Sequence, residues 1–165
     1  DIDETPLVDE DPVVYVERLA REKSAAVVFD TSTLPILAAD TTVVLDGEII
    51  GKPADNREAK LILKRLSGQT HLVHTSVALR TTAEIFQTTV TTEVEFAELD
   101  ETLVDWYVAL GQSLDKAGAY GLQGPAAVLV AGIRGSVSNV VGLPMHQTVA
   151  LLAKAGIAPR GPSGF

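Results

Sequence analysis

No cysteine occurs in the 165-residue chain, which excludes disulfides, thiol nucleophiles and Cys-ligated zinc. Cations are scarce as well: 13 Lys and Arg stand against 22 Asp and Glu, a formal charge of −9. A protein that grips nucleic acid needs a basic footprint to displace phosphate counterions, so no nucleic-acid partner is expected. No apolar run approaches the ~20 residues of a membrane helix, and no secretory leader is visible. These absences predict a cytoplasmic protein with no membrane partner. Neither GxGxxG nor GxxxxGK[ST] occurs, so dinucleotide and P-loop chemistry are unsupported. His71, His74 and His146 show no metal-ligand spacing. His71 and His74 fall on opposite faces of one strand, which makes them structural or surface residues.

What is present is apolar. Hydrophobic residues make up 46% and charged residues 21%, the composition of a packed domain rather than a disordered chain. Residues 1–165 read as a single domain, with no repeat, low-complexity tract or linker. Asp11-Pro12 is an N-cap followed by proline at the first helical position. Behind it Val16, Leu19, Ala20, Lys23 and Val27 recur at helical spacing. Ile36 to Ala39 and Thr41 to Leu45 form a strand interrupted by Asp40, and Asp46-Gly47 turns it into Glu48-Ile50. Asn56 is expected to cap a second helix that stops at Ser67-Gly68. From Gln69 to Phe96 the spacing predicts long antiparallel strands joined near Thr81–Glu84, with Val90, Thr92, Val94 and Phe96 on one face. Leu103, Trp106, Tyr107 and Leu110 stripe a third helix. A strand follows around Ala127–Ile133, and Pro144 opens a last helix that buries Met145, Thr148, Val149 and Leu152. The tail from Pro159 is expected to be mobile. The pattern is α/β: a mixed sheet with helices packed on it, not strict βαβ alternation.

Three residues stand out chemically. Asp40 interrupts an apolar strand, where a carboxylate must be paired or used; it suits a general base or a metal ligand that orders water. Lys23 lies on the apolar stripe of the first helix. Lys52 is pinned between Gly51 and Pro53. Either ammonium placed ~4 Å from a phosphate oxygen gains roughly 4 kcal/mol at an effective dielectric of 20. The opening Asp1-Ile2-Asp3-Glu4-Thr5 spells DxDxT, the nucleophile motif of haloacid-dehalogenase phosphatases. The apolar strand and the downstream acidic pair that this chemistry needs are missing. An acidic loop that offers Glu4 to a divalent cation fits better.

Taken in order, these segments resemble the Maf family. The resemblance is carried by DIDET, by Tyr15-Val16 through Leu19-Ala20 to Lys23, by Ala39-Asp40-Thr41, and by Leu45-Asp46-Gly47-Glu48 leading to Gly51-Lys52-Pro53. It continues through Leu66-Ser67-Gly68-Gln69-Thr70-His71, Thr92-Glu93-Val94, the DKAGAYGLQG segment 115–124, and Asn139-Val140-Val141-Gly142-Leu143-Pro144. It implies an ITPase-like fold, an elongated mixed sheet flanked by helices with two lobes around a cleft. It implies hydrolysis of the α–β phosphoanhydride of a nucleoside triphosphate with Mg2+ or Mn2+, releasing pyrophosphate, and a homodimer. Asp40 becomes the proton acceptor. Thr41 and Gln123 select the substrate, while Lys23 and Lys52 bind phosphate and Glu4, with Asp40, binds metal. The DKAGAYGLQG segment is similar to that of the branch acting on dTTP and UTP. The family's first strand, helix and SxSxR loop precede the first matched segment, so residues 1–165 are expected to be a single Maf-like domain lacking that strand and helix, and Pro125-Ala126 departs from the family's usual basic residue and glycine. Two other readings stand beside this one. A purine-type ITP/XTP pyrophosphatase is disfavoured by the Gln123 segment, and a non-catalytic regulator of septum formation would not need Asp40.

Overall fold

The computed structural model describes residues 2–28 and 34–158. The tail from Pro159 lies outside the described residues. Asp11 caps α1 (Pro12–Ala26), its carboxylate accepting from the amides of Val13 and Val14. Strand β1 (Ile36–Leu45) turns into β2 (Glu48–Ile50) through Asp46 and Gly47, with φ of 52° and 82°. Two successive left-handed residues make the hairpin turn whose twist matches the strands. Helix α2 (Asn56–Leu66) follows. Its cap is Asp55, which accepts from Glu58 N, and not the expected Asn56. Asp55 is extended, whereas Asn56 is already inside the helix.

Strands β3 (Thr70–Arg80) and β4 (Ile85–Phe96) form the expected long ribbon, and Thr81 N donates to Glu84 O at its turn. Helix α3 (Glu101–Ala109), two 3-10 turns (Ala117–Ala119 and Gly124–Leu129), β5 (Val130–Arg134), α4 (Val137–Val141) and α5 (Met145–Lys154) complete the order. The sheet runs β2-β1-β3-β4-β5, and every described pairing is antiparallel rather than mixed. The tight turns at Asp46-Gly47 and Thr81–Glu84 each return the chain against the strand just left.

The two sheet faces carry different layers. Helix α1 packs Tyr15, Val16 and Leu19 against one face. The other face holds the main core, in which Val43, Val73, Val94 and Phe96 meet Leu63, Leu66, Val104, Tyr107 and Leu129. Strand alternation sends neighbouring residues to opposite layers.

Several expected faces are rotated. On α3 the buried positions are Val104, Tyr107 and Val108, while Trp106 is 44% and Leu110 40% exposed. On α5 Thr148 and Leu151 are buried, whereas Met145 and Val149 are exposed and Leu152 only partly covered. Both helices are apolar on more than one side, so spacing alone does not choose the packed face. Val27 ends α1 as its exposed C-cap instead of extending the stripe. The expected strand at Ala127–Ile133 begins only at Val130, because Pro125 and its neighbours wind into a 3-10 turn.

Candidate functional site

Asp40 sits on β1 facing α1, and its carboxylate receives the ammonium of Lys23. Lys23 also bonds Glu4 Oε1 at 2.8 Å, and Lys52 Nζ reaches Glu4 Oε2 at 2.9 Å. Four of the residues singled out in the sequence thus form one chain of charges, Lys52–Glu4–Lys23–Asp40. Glu4 is held in place from behind: the Tyr15 hydroxyl donates to its backbone carbonyl at 2.8 Å. DIDET is irregular backbone here, and Asp3 accepts from Thr5 N at 2.9 Å. That geometry is an acidic loop, and it offers Glu4.

The electrostatics differ along this chain. Asp40 is 8% exposed, and burial pushes its carboxyl above the usual range against the opposing pull of Lys23. Glu4 is lowered by its hydrogen bonds to Lys23 and Lys52. Burial tends to lower Lys23, but its bonds to Asp40 and Glu4 outweigh it and raise the ammonium. The most buried member of the group is therefore the one least content to stay charged.

Two connected hollows meet at Asp40, Thr41, Lys52 and Ala117. The larger, about 470 Å³, runs from Lys23 and Asp40 to Tyr120, Gln123 and the end of α4 at Val141-Gly142. The smaller, about 420 Å³, opens toward Glu4 and Tyr15. The far wall of the larger hollow, the glycine-rich segment, is tied down at three points. Gly118 N donates to Gly51 O at 3.1 Å, Gly121 N to the Tyr107 hydroxyl at 3.3 Å, and His71 Nε2 lies 2.7 Å from the Tyr120 hydroxyl. His71, Phe96 and Tyr120 stack edge to face behind it. His71 and His74 are both buried, and their ring nitrogens lie against the Tyr120 and Thr91 hydroxyls.

Thr41 points to the opposite layer from Asp40. Its hydroxyl lies 2.9 Å from that of Thr75, which bonds the Asn139 carbonyl. Gln123 is exposed and lines the larger hollow; it has no place in the charge chain. The structure therefore brings Glu4, Lys23, Asp40, Thr41, Lys52 and Gln123 to one cleft. Spacing did not reveal Tyr120, Thr75 or Asn139. Tyr120 and Asn139 fall within segments that carry the family resemblance, but their spacing assigns them no role.

The donor set suits a hard divalent cation. Glu4 and Asp40 supply carboxylate oxygens, and Mg2+-type ions are commonly held by one or two carboxylates plus substrate phosphates. The two carboxylates and two ammonium groups of the cluster cancel in charge. A triphosphate, carrying roughly four negative charges near neutrality, would leave the cleft short of positive charge without a cation. Among the described residues no group of three or more His, Asp or Glu could hold an ion alone. Water and phosphate oxygens would complete any such shell.

Comparison with known proteins identifies the family. The family model described as Maf-like protein matches residues 1–155. A dTTP/UTP pyrophosphatase of Myxococcus xanthus is 52% identical over 157 residues, 95% of this chain and 80% of that protein. A dTTP/UTP pyrophosphatase of Anaeromyxobacter dehalogenans is 50% identical over 160 residues, covering 94% and 80%. One from Symbiobacterium thermophilum is 47% identical over 156 residues, covering 94% and 80%. With a family match over residues 1–155 and relatives at about half identity across most of its length, the chain belongs to the Maf family.

Proposed function

We propose that this chain hydrolyses dTTP and UTP at the α–β phosphoanhydride, giving the nucleoside monophosphate and pyrophosphate. The observation that carries the reading is the Lys52–Glu4–Lys23–Asp40 chain at the mouth of a cleft large enough for a nucleotide. Three relatives at 47–52% identity, each a dTTP/UTP pyrophosphatase, support the same substrates.

In this mechanism the triphosphate enters between β1 and the glycine-rich segment, with the base toward Thr41 and Gln123. Lys23 and Lys52 exchange their carboxylate partners for phosphate oxygens, an exchange between groups of like charge. Freed of Lys23, buried Asp40 accepts the proton of the water that attacks at the α–β bridge; its raised affinity for a proton favours that step. Glu4 and Asp40 would hold Mg2+ or Mn2+ together with the phosphates, and that ion supplies charge neutralisation on the pyrophosphate leaving group. The Lys23 ammonium adds stabilisation of the same charge, the usual main source of phosphoryl-transfer catalysis, while the more exposed Lys52 grips the phosphates on binding. The same reading places residues 1–165 in a single Maf-like domain of a homodimeric, cytoplasmic enzyme. No helix among the described residues is long and apolar enough to cross a membrane.

The deciding experiment is product analysis with dTTP, UTP, ITP and 7-methyl-GTP, each with Mg2+ and with Mn2+. Pyrophosphate and monophosphate from dTTP and UTP, in preference to the purines, are expected. Orthophosphate as the first product would overturn the reaction. Preference for ITP would overturn the substrate. An Asp40→Asn variant that kept its effect on septum formation while losing turnover would favour the regulator.

A further inference from the structure

Thr41 on β1 and Thr75 on β3 face each other in register, and their hydroxyl oxygens are 2.9 Å apart. Thr75 Oγ1 also lies 2.9 Å from the backbone carbonyl oxygen of Asn139. A carbonyl only accepts, so the single proton of Thr75 goes to Asn139. Thr75 then has lone pairs alone to offer Thr41, and the Thr41 proton is drawn to Thr75. The hydroxyl that reaches the cleft is therefore one whose proton is already committed. It presents acceptor lone pairs and no donor.

The polarity of this relay is fixed by what anchors Asn139. Its side-chain amide spends both protons, on Val73 O and on Thr92 Oγ1, each at 2.9 Å. Thr92 donates to Ser136 O at 3.3 Å and accepts from Ser136 N at 3.1 Å. Asn139 and Thr75 are fully buried and line neither hollow, whereas Thr41 lines both. Gly142, which lines the larger hollow, passes close to the Thr41 hydroxyl. A Cβ there would stand 3.5 Å from its oxygen, at a φ of +113° that side chains rarely adopt.

We propose that Thr75 and Asn139 are positioning residues that lock Thr41 as an acceptor, and that this acceptor reads the imide N3–H shared by thymine and uracil. The inference rests on the dTTP/UTP reading above. Cytosine carries a lone pair at N3, so against Thr41 neither atom would have a proton to share. A free hydroxyl would simply rotate and donate to cytosine. The relay removes that option and turns a generic hydroxyl into a filter of one sign; sites built to hydrogen-bond a substrate group reject analogues lacking it.

The test compares pyrophosphate release from UTP and CTP by the wild type, Thr75→Val, Thr75→Ser, Thr41→Val and the Thr41→Val/Thr75→Val double variant. The wild type is expected to prefer UTP. Thr75→Val narrows the UTP:CTP ratio of kcat/KM about tenfold, with CTP improving in absolute terms. Thr75→Ser restores the ratio, and Thr75→Val has no further effect on it once Thr41 is valine. An equal loss for both nucleotides in Thr75→Val, or an unchanged ratio, sinks the proposal, since either would mean a structural role or a contact to sugar. Should Thr75→Val not fold, 3-methyl-UTP decides on the wild type: poor turnover supports the filter, and turnover equal to UTP overturns it. A wild type that releases no pyrophosphate from UTP instead defeats the underlying pyrophosphatase reading, and this inference with it.

Discussion

Asp40 is a carboxyl that the fold holds at a cost. Buried beside Lys23, it has a folded-state pKa raised above the ordinary carboxylate value, so the folded protein binds its proton more tightly than the unfolded chain does. Stability from this group therefore falls as pH rises from the unfolded value through the folded one. Asp40→Asn keeps the shape, removes the charge and leaves Lys23 with Glu4 at 2.8 Å. At pH 7 we expect Tm to be unchanged or higher, while kcat on dTTP falls by about 10²–10⁴, the range for loss of a general base. Thermal melts beside steady-state kinetics check this; a fall of many degrees in Tm would make Asp40 structural. The kcat/KM profile should carry an acid limb displaced above the usual carboxylate range, and that limb should vanish in the variant. Lys52, half exposed and joined among the described residues to Glu4, is expected to act on binding. Lys52→Met should raise KM for dTTP about tenfold with little change in kcat, as loss of one charge-assisted phosphate contact would. A kcat loss with KM intact would place Lys52 on the transition state instead.

At the scale of elements, the cleft depends on a segment that is neither helix nor strand. Gly118 has φ +71°, and a Cβ there would lie 3.0 Å from Val43 Cγ2, a side chain of the main core. Gly118→Ala combines left-handed strain with a clash, and we expect a loss of about 2–3 kcal/mol. Because Tyr120 and Gln123 follow within the same segment, KM for dTTP should rise as well. Urea unfolding with parallel kinetics tests both, and an unperturbed KM would detach the segment from substrate binding. Much of this architecture was legible in the sequence, for identifiable reasons. Asp11-Pro12, Asp46-Gly47 and the Thr/Val ribbon each carry a local signal that tertiary context did not override. Lys23 on an apolar stripe and Asp40 in an apolar strand were anomalies, and the structure pairs them. What stayed hidden is non-local. The faces of α3 and α5 are chosen by neighbours, since Trp106 and Met145 are as apolar as the residues actually buried. Helix α4 spans five residues, too short for periodicity, and owes its place to Asn139 bonding β3 and β4. The Thr41–Thr75–Asn139 relay joins residues 34 and 64 positions apart, which no spacing rule reaches.

For the molecule as a whole, the long ribbon and the cleft wall are joined by one buried cluster. His71 on β3 contacts Phe96 on β4 edge to face and lies 2.7 Å from the Tyr120 hydroxyl. Burial alone pulls His71 down to about 4, and burial lowers His74 as well, against a small opposing effect of Asp11. Both rings are therefore neutral in the fold at pH values where the unfolded chain protonates them. With folded pKa below the unfolded 6.5, their stabilisation is complete above 6.5 and is lost as pH falls below it, for His71 as pH approaches about 4. The paired carboxylates act lower. Glu4 and Glu10 are depressed by their cationic partners, Glu10 to about 2, so their contribution declines only below about 4.5, the ordinary range for Glu. Acid should thus attack the protein in two stages, histidines first. We expect the urea midpoint to hold from pH 8 to 6.5 and then fall. Near pH 5.5 the slope should correspond to uptake of one to two protons on unfolding, about 1.4–2.7 kcal/mol per pH unit. His71→Gln should cost stability at pH 7 and flatten the slope by up to one proton. A midpoint constant from pH 7 down to 5 would mean that the rings are already charged in the fold. The aromatic cluster would then be held by a counter-charge rather than by burial.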